Sequence, residues 1–132
     1  GTAGQLGHIT VDADGAPCNC GRRGCLETTS SGTALQRFSG GARIEDLLAR
    51  DDTEAMRIVE EWALPLRAGI DSLVAAFSPG IVVLGGGLGA AAVMALQRFP
   101  AASPWFQAEV AAAKLGDTAG VIGAGLAALE RR

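Results

Sequence analysis

The sequence predicts an α/β domain, and three observations carry that prediction. Between Asp52 and Phe77 apolar residues recur at spacings of three and four, the stripe of a long core-facing helix, closed by Ser78-Pro79-Gly80. The run "IVVLGGG", Ile81 to Gly87, is β-branched and apolar without a break and ends in glycines, which reads as a strand buried on both faces. Helical, strand-like and helical patterns then alternate to the end of the chain, the order of an α/β fold.

The elements follow in order. Residues 1–24 are Gly-rich and loop-like, and "HITVDADG" alternates Ile9 and Val11 with polar neighbours before Asp14-Gly15, a short strand and turn. A helix is expected from about Cys25 to Phe38, stopped by Gly40-Gly41, and "IEDLLAR" forms a second short one. Asp52 caps the long helix, whose stripe is Met56, Val59, Ala63, Leu66, Ile70, Leu73, Val74 and Phe77. Pro65 inside it removes one donor and is expected to kink it. "LGAAAVMALQRF" is a further helix, and a strand is expected near residues 107–113. Asp117 is expected to cap a final helix to about Arg131, with Val121, Ile122, Leu126 and Leu129 facing the core. Trp62 and Trp105-Phe106 read as core rather than as interface anchors, although part of the long stripe could serve a dimer.

Composition narrows the function classes. A chain of 132 residues, 48% hydrophobic and 19% charged, is one globular domain rather than a disordered one. The net charge is -3, and basic residues are scattered apart from Arg22-Arg23 and Arg131-Arg132, so no stripe tracks a phosphate backbone. No run of 18 apolar residues and no signal pattern appears, so the expected location is the cytoplasm, away from membranes. The opening "GTAGQLGHI" lacks a Met and starts inside a motif-like segment, which suggests a fragment or half of a larger protein.

All three cysteines, Cys18, Cys20 and Cys25, and the single histidine, His8, fall between Gly7 and Glu27. Gly21 and Gly24 allow a bend sharp enough for the sulfurs to converge, and His8 is near enough to supply a fourth ligand. Three thiolates and one imidazole make a closed tetrahedral zinc set, a structural site rather than a catalytic one. Free buried thiols and an iron–sulfur cluster are the competing readings. An odd cysteine count and the closeness of Cys18 to Cys20 disfavour a disulfide.

"AGQLGH" followed by "CNCGRRGCLE" resembles the zinc-binding signature of the ROK family, which groups bacterial sugar kinases with sugar-responsive transcriptional repressors. "IVVLGGGLG" and "LGDTAGVIGAGLAAL" resemble later parts of the same proteins, so the likeness covers the family's C-terminal half. The resemblance implies the C-terminal half of an actin-like ATPase (ribonuclease H-like) fold, residues 1–132 forming one sugar-binding domain with a zinc loop at 8–25. It implies zinc ligands His8, Cys18, Cys20 and Cys25, and sugar contacts Gln5, His8 and Glu27. Without it, Glu27 would read as a carboxylate favoured by a helix N-terminus. The family's usual Glu is replaced by Gln5, which keeps an acceptor, adds two donors and loses the charge. The family's phosphate loop and catalytic Asp lie in its other half and have no counterpart here, so this chain alone is not expected to be a kinase.

"GGGLGA", Gly85 to Ala90, follows a strand and opens a helix. By resemblance Gly85, Gly86 and Gly87 form the adenosine-side loop of an actin-like cleft. A plain packing turn and a dinucleotide fingerprint are the other readings, the last weakened because Glu109 falls too late for a ribose-binding acid. The function expected first is the effector-binding domain of a ROK-type transcriptional regulator, which takes a hexose, an amino sugar or a sugar phosphate and contacts DNA through a domain outside this chain. The alternative is the C-terminal half of an ATP- and Mg²⁺-dependent hexose kinase, and the third reading is a zinc-stapled interaction domain without a sugar site. Family members commonly self-associate, so the resemblance also implies a homo-oligomer.

Overall fold

The computed structural model describes residues 4–101 and 103–130. A 3₁₀ turn at Leu6–His8 is followed by the cysteine-bearing loop and then by helices α1 (Leu26–Ser30), α2 (Gly32–Ser39), α3 (Ile44–Arg50) and α4 (Thr53–Phe77). Strand β1 (Ile81–Leu84), helix α5 (Gly89–Arg98) and strand β2 (Glu109–Ala112) form a crossover, and α6 (Ala119–Glu130) closes the described chain. The two strands pair in parallel, Ile81 opposite Glu109 and Leu84 opposite Ala112.

Helix α4 organises the core. The Asp52 carboxylate accepts the Ala55 N–H at 2.8 Å, as the capping pattern predicts. Ile58, Val59, Trp62 and Ala63 bury against Ile44 and Leu47 of α3 and against Ala91, Ala92 and Ala95 of α5, whose small side chains admit close helix approach. About two turns further on, Ile70 and Val74 pack with Leu96, Val82 and Val110, which fixes the two-stranded sheet to the same helix. Pro65 lies inside α4 without ending it.

Several expectations need correction. The single helix from Cys25 to Phe38 is two helices, broken at an extended Ser31. The Ser31 hydroxyl accepts from Ala34 N–H and so restarts the helix, while the Trp62 indole N–H donates to the Ser31 carbonyl. No strand forms over His8–Gly15; an isolated bridge joins Thr10 to Cys25 instead. Strand β1 is covered on one face only: Val82 and Leu84 meet the helices, whereas Ile81 and Val83 are exposed, Val83 by 56%. A β-branched run shows that a strand suits burial, not which chain buries it. The end of the long stripe, Phe77, is exposed, and so is Trp105, by 86%, against its expected place in the core.

Asp117 sits in a 3₁₀ turn, Gly116–Thr118, ahead of α6. The α6 stripe of Val121, Ile122, Leu126 and Leu129 is exposed throughout, because among the described residues little beyond the Gly116–Thr118 turn lies against it. The expectations for the Phe106 side chain and for Arg131-Arg132 fall outside the described part. Among the described residues no helix is long and apolar enough to cross a membrane.

Candidate metal centre and adjoining pocket

The metal loop is shaped by backbone bonds. Val11 and Asp12 N–H both reach the Gly24 carbonyl, at 2.8 and 3.3 Å, and Gly24 N–H reaches the Ala16 carbonyl at 2.9 Å. Within that frame Cys18 N–H bonds the Arg22 carbonyl at 2.8 Å and Gly21 N–H bonds the Cys18 carbonyl at 3.0 Å, a tight turn that carries Cys20 at its tip. Gly24 has φ +62°, and a Cβ there would lie 1.5 Å from the Asp12 carbonyl oxygen, so no side chain fits. The Leu26 N–H bond to the Ile9 carbonyl, 2.8 Å, then ties the start of α1 to the residue after His8.

This backbone brings together the four residues that the sequence singles out. One ligand atom each from His8, Cys18, Cys20 and Cys25 can be chosen so that all lie within 4.8 Å of one another. Cys20 Sγ is 3.5 Å from Cys25 Sγ, and Cys18 Sγ is 3.5 Å from His8 Nδ1. Ligands about 2.3 Å from a tetrahedral ion sit about 3.8 Å apart, so the donor set fits a metal ion in both number and spacing. The imidazole faces the sulfurs through Nδ1, and a neutral ring liganded there carries its proton on Nε2.

The sulfurs differ in character. Hydrogen bonds from the Arg22 backbone and, against some burial, from its guanidinium and the other two thiols lower the Cys20 pKa to about 6. Burial raises that of Cys25 to about 11, and hydrogen bonding to the other two thiols adds to the rise. Cys25 is also the N-cap of α1, and its side chain is fully buried. A metal ion held here would favour the thiolate form of every sulfur, and the proton it would displace least readily is that of the buried Cys25.

His8 and Glu27 both line a polar pocket of about 190 Å³ that also takes in Asn19, Thr28, Ser31 and Arg37. Glu27 belongs to the first turn of α1, two residues after Cys25, so one short helix joins the Cys/His cluster to a carboxylate. Its Oε2 stands 3.2 Å from the point where a side chain on Gly7 would begin, which keeps the approach to the carboxylate open. Gln5 caps the Leu6–His8 turn, is exposed, and does not line this pocket.

Gly85, Gly86 and Gly87 lie between β1 and α5. A Cβ on Gly89 would meet the Leu84 carbonyl oxygen at 2.4 Å, so the strand-to-helix turn depends on its absence. Gly87 and Leu88 border a cavity of about 370 Å³, shared with Gln36, Arg43 and Glu45. Sequence reasoning missed Asp117 here. Its carboxylate stands 3.2 Å from a Cβ position on Gly87 rather than capping α6, and only the parallel register of β2 beside β1 brings it there.

The ROK family profile matches residues 1–131. The chain is 37% identical to a glucokinase of Halalkalibacterium halodurans over 155 residues, 95% of this chain and 47% of that one. Its structure is similar to that of a ROK family glucokinase from Streptomyces griseus in complex with glucose and AMPPNP, with TM-score 0.73, 28% identity, and 92% and 50% of the two chains covered. It is also similar to a ROK family transcriptional regulator described as a homologue of the E. coli MLC protein, with TM-score 0.62, 26% identity, and 85% and 35% covered. The chain spans about half the length of the kinases it matches. With its Cys/His cluster, its α/β architecture and this match over nearly every residue, the chain belongs to the ROK family.

Proposed function

We propose that this chain is the sugar-binding half of a ROK protein, the C-terminal half of an actin-like ATPase fold, in which a structural zinc aims a carbohydrate pocket. The observation that carries the reading is the double placement of His8, whose ring belongs to the metal cluster and also lines the pocket with Glu27. Zinc held by His8, Cys18, Cys20 and Cys25 supplies rigidity, since four protein ligands leave no open position for substrate. The His8 Nε2–H is then a fixed donor, and the Glu27 carboxylate accepts sugar hydroxyls through charge-assisted hydrogen bonds. Gln5, at the head of the same 3₁₀ turn, contributes one acceptor and two donors where the ligand extends beyond the pocket.

Of the two roles open to such a half, sugar phosphorylation is the better supported. The loop Gly85–Gly87 borders a cavity large enough for a nucleoside, and the glucokinase likeness is the stronger in identity. The Asp117 carboxylate beside Gly87 repels a phosphate there and suits a ribose hydroxyl, so the loop takes the adenosine end of ATP, with phosphates and Mg²⁺ held elsewhere. The second reading, effector recognition by a transcriptional regulator, is favoured by Gln5, because a neutral amide at that position weakens carboxylate pairing with the sugar.

Calorimetry of the zinc-loaded full-length gene product with glucose and N-acetylmannosamine, beside a coupled assay for ATP turnover, tests both levels. Heat with one sugar, abolished by Glu27→Ala, is expected, together with sugar-dependent ADP release. Sugar binding without turnover assigns the regulator, and no heat with either sugar removes the pocket assignment.

A further inference from the structure

Arg22 makes contacts that nothing in the metal set requires. Its carbonyl accepts the Cys18 N–H at 2.8 Å. Its backbone N–H and its guanidinium both favour the thiolate of Cys20. The same guanidinium donates through NH2 to the backbone carbonyl of His8, fourteen residues earlier. One exposed residue therefore bonds His8 and Cys18 and stands beside Cys20, and apart from Cys18, whose sulfur lies 3.5 Å from His8 Nδ1, it is the only residue of the turn at 18–22 whose side chain is bonded to the 3₁₀ segment among the described residues.

The position of that tie matters. The Ile9 carbonyl is already held by Leu26 N–H, and Thr10 bridges Cys25, so the residues after His8 are anchored to α1. The His8 carbonyl is the next group upstream, and Arg22 holds it from the opposite side, across the loop. With both ties in place the His8 backbone has little freedom to turn, and the imidazole inherits that restraint. An arginine suits the task because its planar fork offers several donors in fixed directions, and one head can meet a carbonyl and a sulfur together. Three thiolates on a dication leave a net negative charge, so a cation at this place is also favoured.

We propose that Arg22 is a positioning residue that latches the metal loop onto the His8 segment and so couples metal binding to the orientation of the sugar-binding imidazole. The inference rests on the zinc and sugar reading given above. Arg23 is the internal control: it is the adjacent arginine with the same charge, its backbone bridges Pro17, and its side chain makes no hydrogen bond among the described residues.

The test compares Arg22→Ala, Arg22→Lys and Arg23→Ala in the full-length gene product. Zinc affinity is read by competition with a chromogenic chelator, and affinity for whichever of glucose and N-acetylmannosamine binds the wild type is read by calorimetry at saturating zinc. Outer-shell partners of metal ligands typically contribute about 10–100-fold in metal affinity. Arg22→Ala is expected to lose about tenfold or more in zinc affinity and to bind sugar more weakly even when metal-saturated. Arg22→Lys restores charge without the fork, so zinc affinity recovers in part while sugar affinity does not. Arg23→Ala leaves both unchanged. Equal losses in the two alanine variants would reduce Arg22 to a charge effect and overturn the latch, as would wild-type values for Arg22→Ala. If Arg22→Ala does not fold by circular dichroism, the Lys variant decides: unchanged sugar affinity there overturns the proposal. A wild type that binds neither zinc nor sugar fails the underlying reading instead, which separates the two failures.

Discussion

Cys25 joins two tasks at one position: its sulfur belongs to the metal set, and its backbone caps the helix that presents Glu27 two residues later. Replacement by alanine removes the ligand without touching the pocket wall, since Cys25 does not line it. Cys25→Ala is expected to abolish stoichiometric zinc and to weaken sugar binding at least tenfold, as is chelation of the wild type; a Cys25→Ala protein with ordinary sugar affinity would show that the pocket stands without the metal. Gln5 permits the opposite experiment. A carboxylate there accepts more strongly than an amide, so Gln5→Glu is expected to tighten sugar binding by about fivefold at neutral pH, checked by calorimetry; a looser complex would mean that Gln5 acts as a donor. The cluster could be read in the sequence because soft ligands are rare and were all in one segment. Arg22 could be read there as a charge that offsets the thiolates, but its bond to His8 and the place of Asp117 beside Gly87 could not, because what an arginine or an aspartate reaches depends on the path of a loop or the register of a strand. Neither is written in residue type.

Helices and strands were legible in proportion to how local their causes are. The Asp52 cap, the α4 stripe and the Gly-bounded β1 follow from spacing within the segment, and the structure has all three. The break at Ser31 has a local part, the hydroxyl that caps Ala34 N–H, and a distant one, the Trp62 indole that bonds the Ser31 carbonyl from thirty-one residues away, and the second is not written in the segment. The α4 cap has a pH signature. The Ala55 N–H and then the Arg50 guanidinium hold the Asp52 carboxyl below its ordinary value of 3.8. A carboxyl whose folded pKa is depressed favours the folded state above its unfolded pKa, and that contribution fades as pH falls through the folded value. Asp52→Ala is therefore expected to lower Tm at pH 7 by a few degrees, and the gap to wild type should narrow as pH falls below about 4. Thermal melts followed by circular dichroism at pH 7, 4 and 2.5 check it, and a gap constant across that range would rule out the ionised cap as its source.

At the scale of the whole chain, the least explained element is α6. Its twelve residues, Ala119 to Glu130, include Gly120, Gly123 and Gly125, and each glycine inside a helix costs about 1 kcal/mol relative to alanine. A helix this short is marginal in water even with favourable residues, so its stability has to come from packing. The described residues supply little: Val121 is 77% exposed and Leu129 66%, and of the other elements among them only the Gly116–Thr118 turn contacts α6 appreciably. The sequence shows that α6 is apolar and helical in pattern, but its partner surface is not among the described residues. The exposed face of β1 poses the same question, and relatives about twice this length offer an answer to both. Amides of residues 119–130 in the isolated 132-residue chain are accordingly expected to exchange with solvent close to the unfolded rate, while those of α4 stay protected. In a protein that joins this chain to the other half its proposed function requires, the same amides should gain protection, and Val121→Glu with Leu129→Glu should lower the Tm of the joined protein while leaving the isolated chain's Tm unchanged. Hydrogen exchange read by mass spectrometry on both proteins decides it: strong protection of α6 in the isolated monomer would mean that the helix is sustained from within this chain, and the exposed stripe would then need no covering surface.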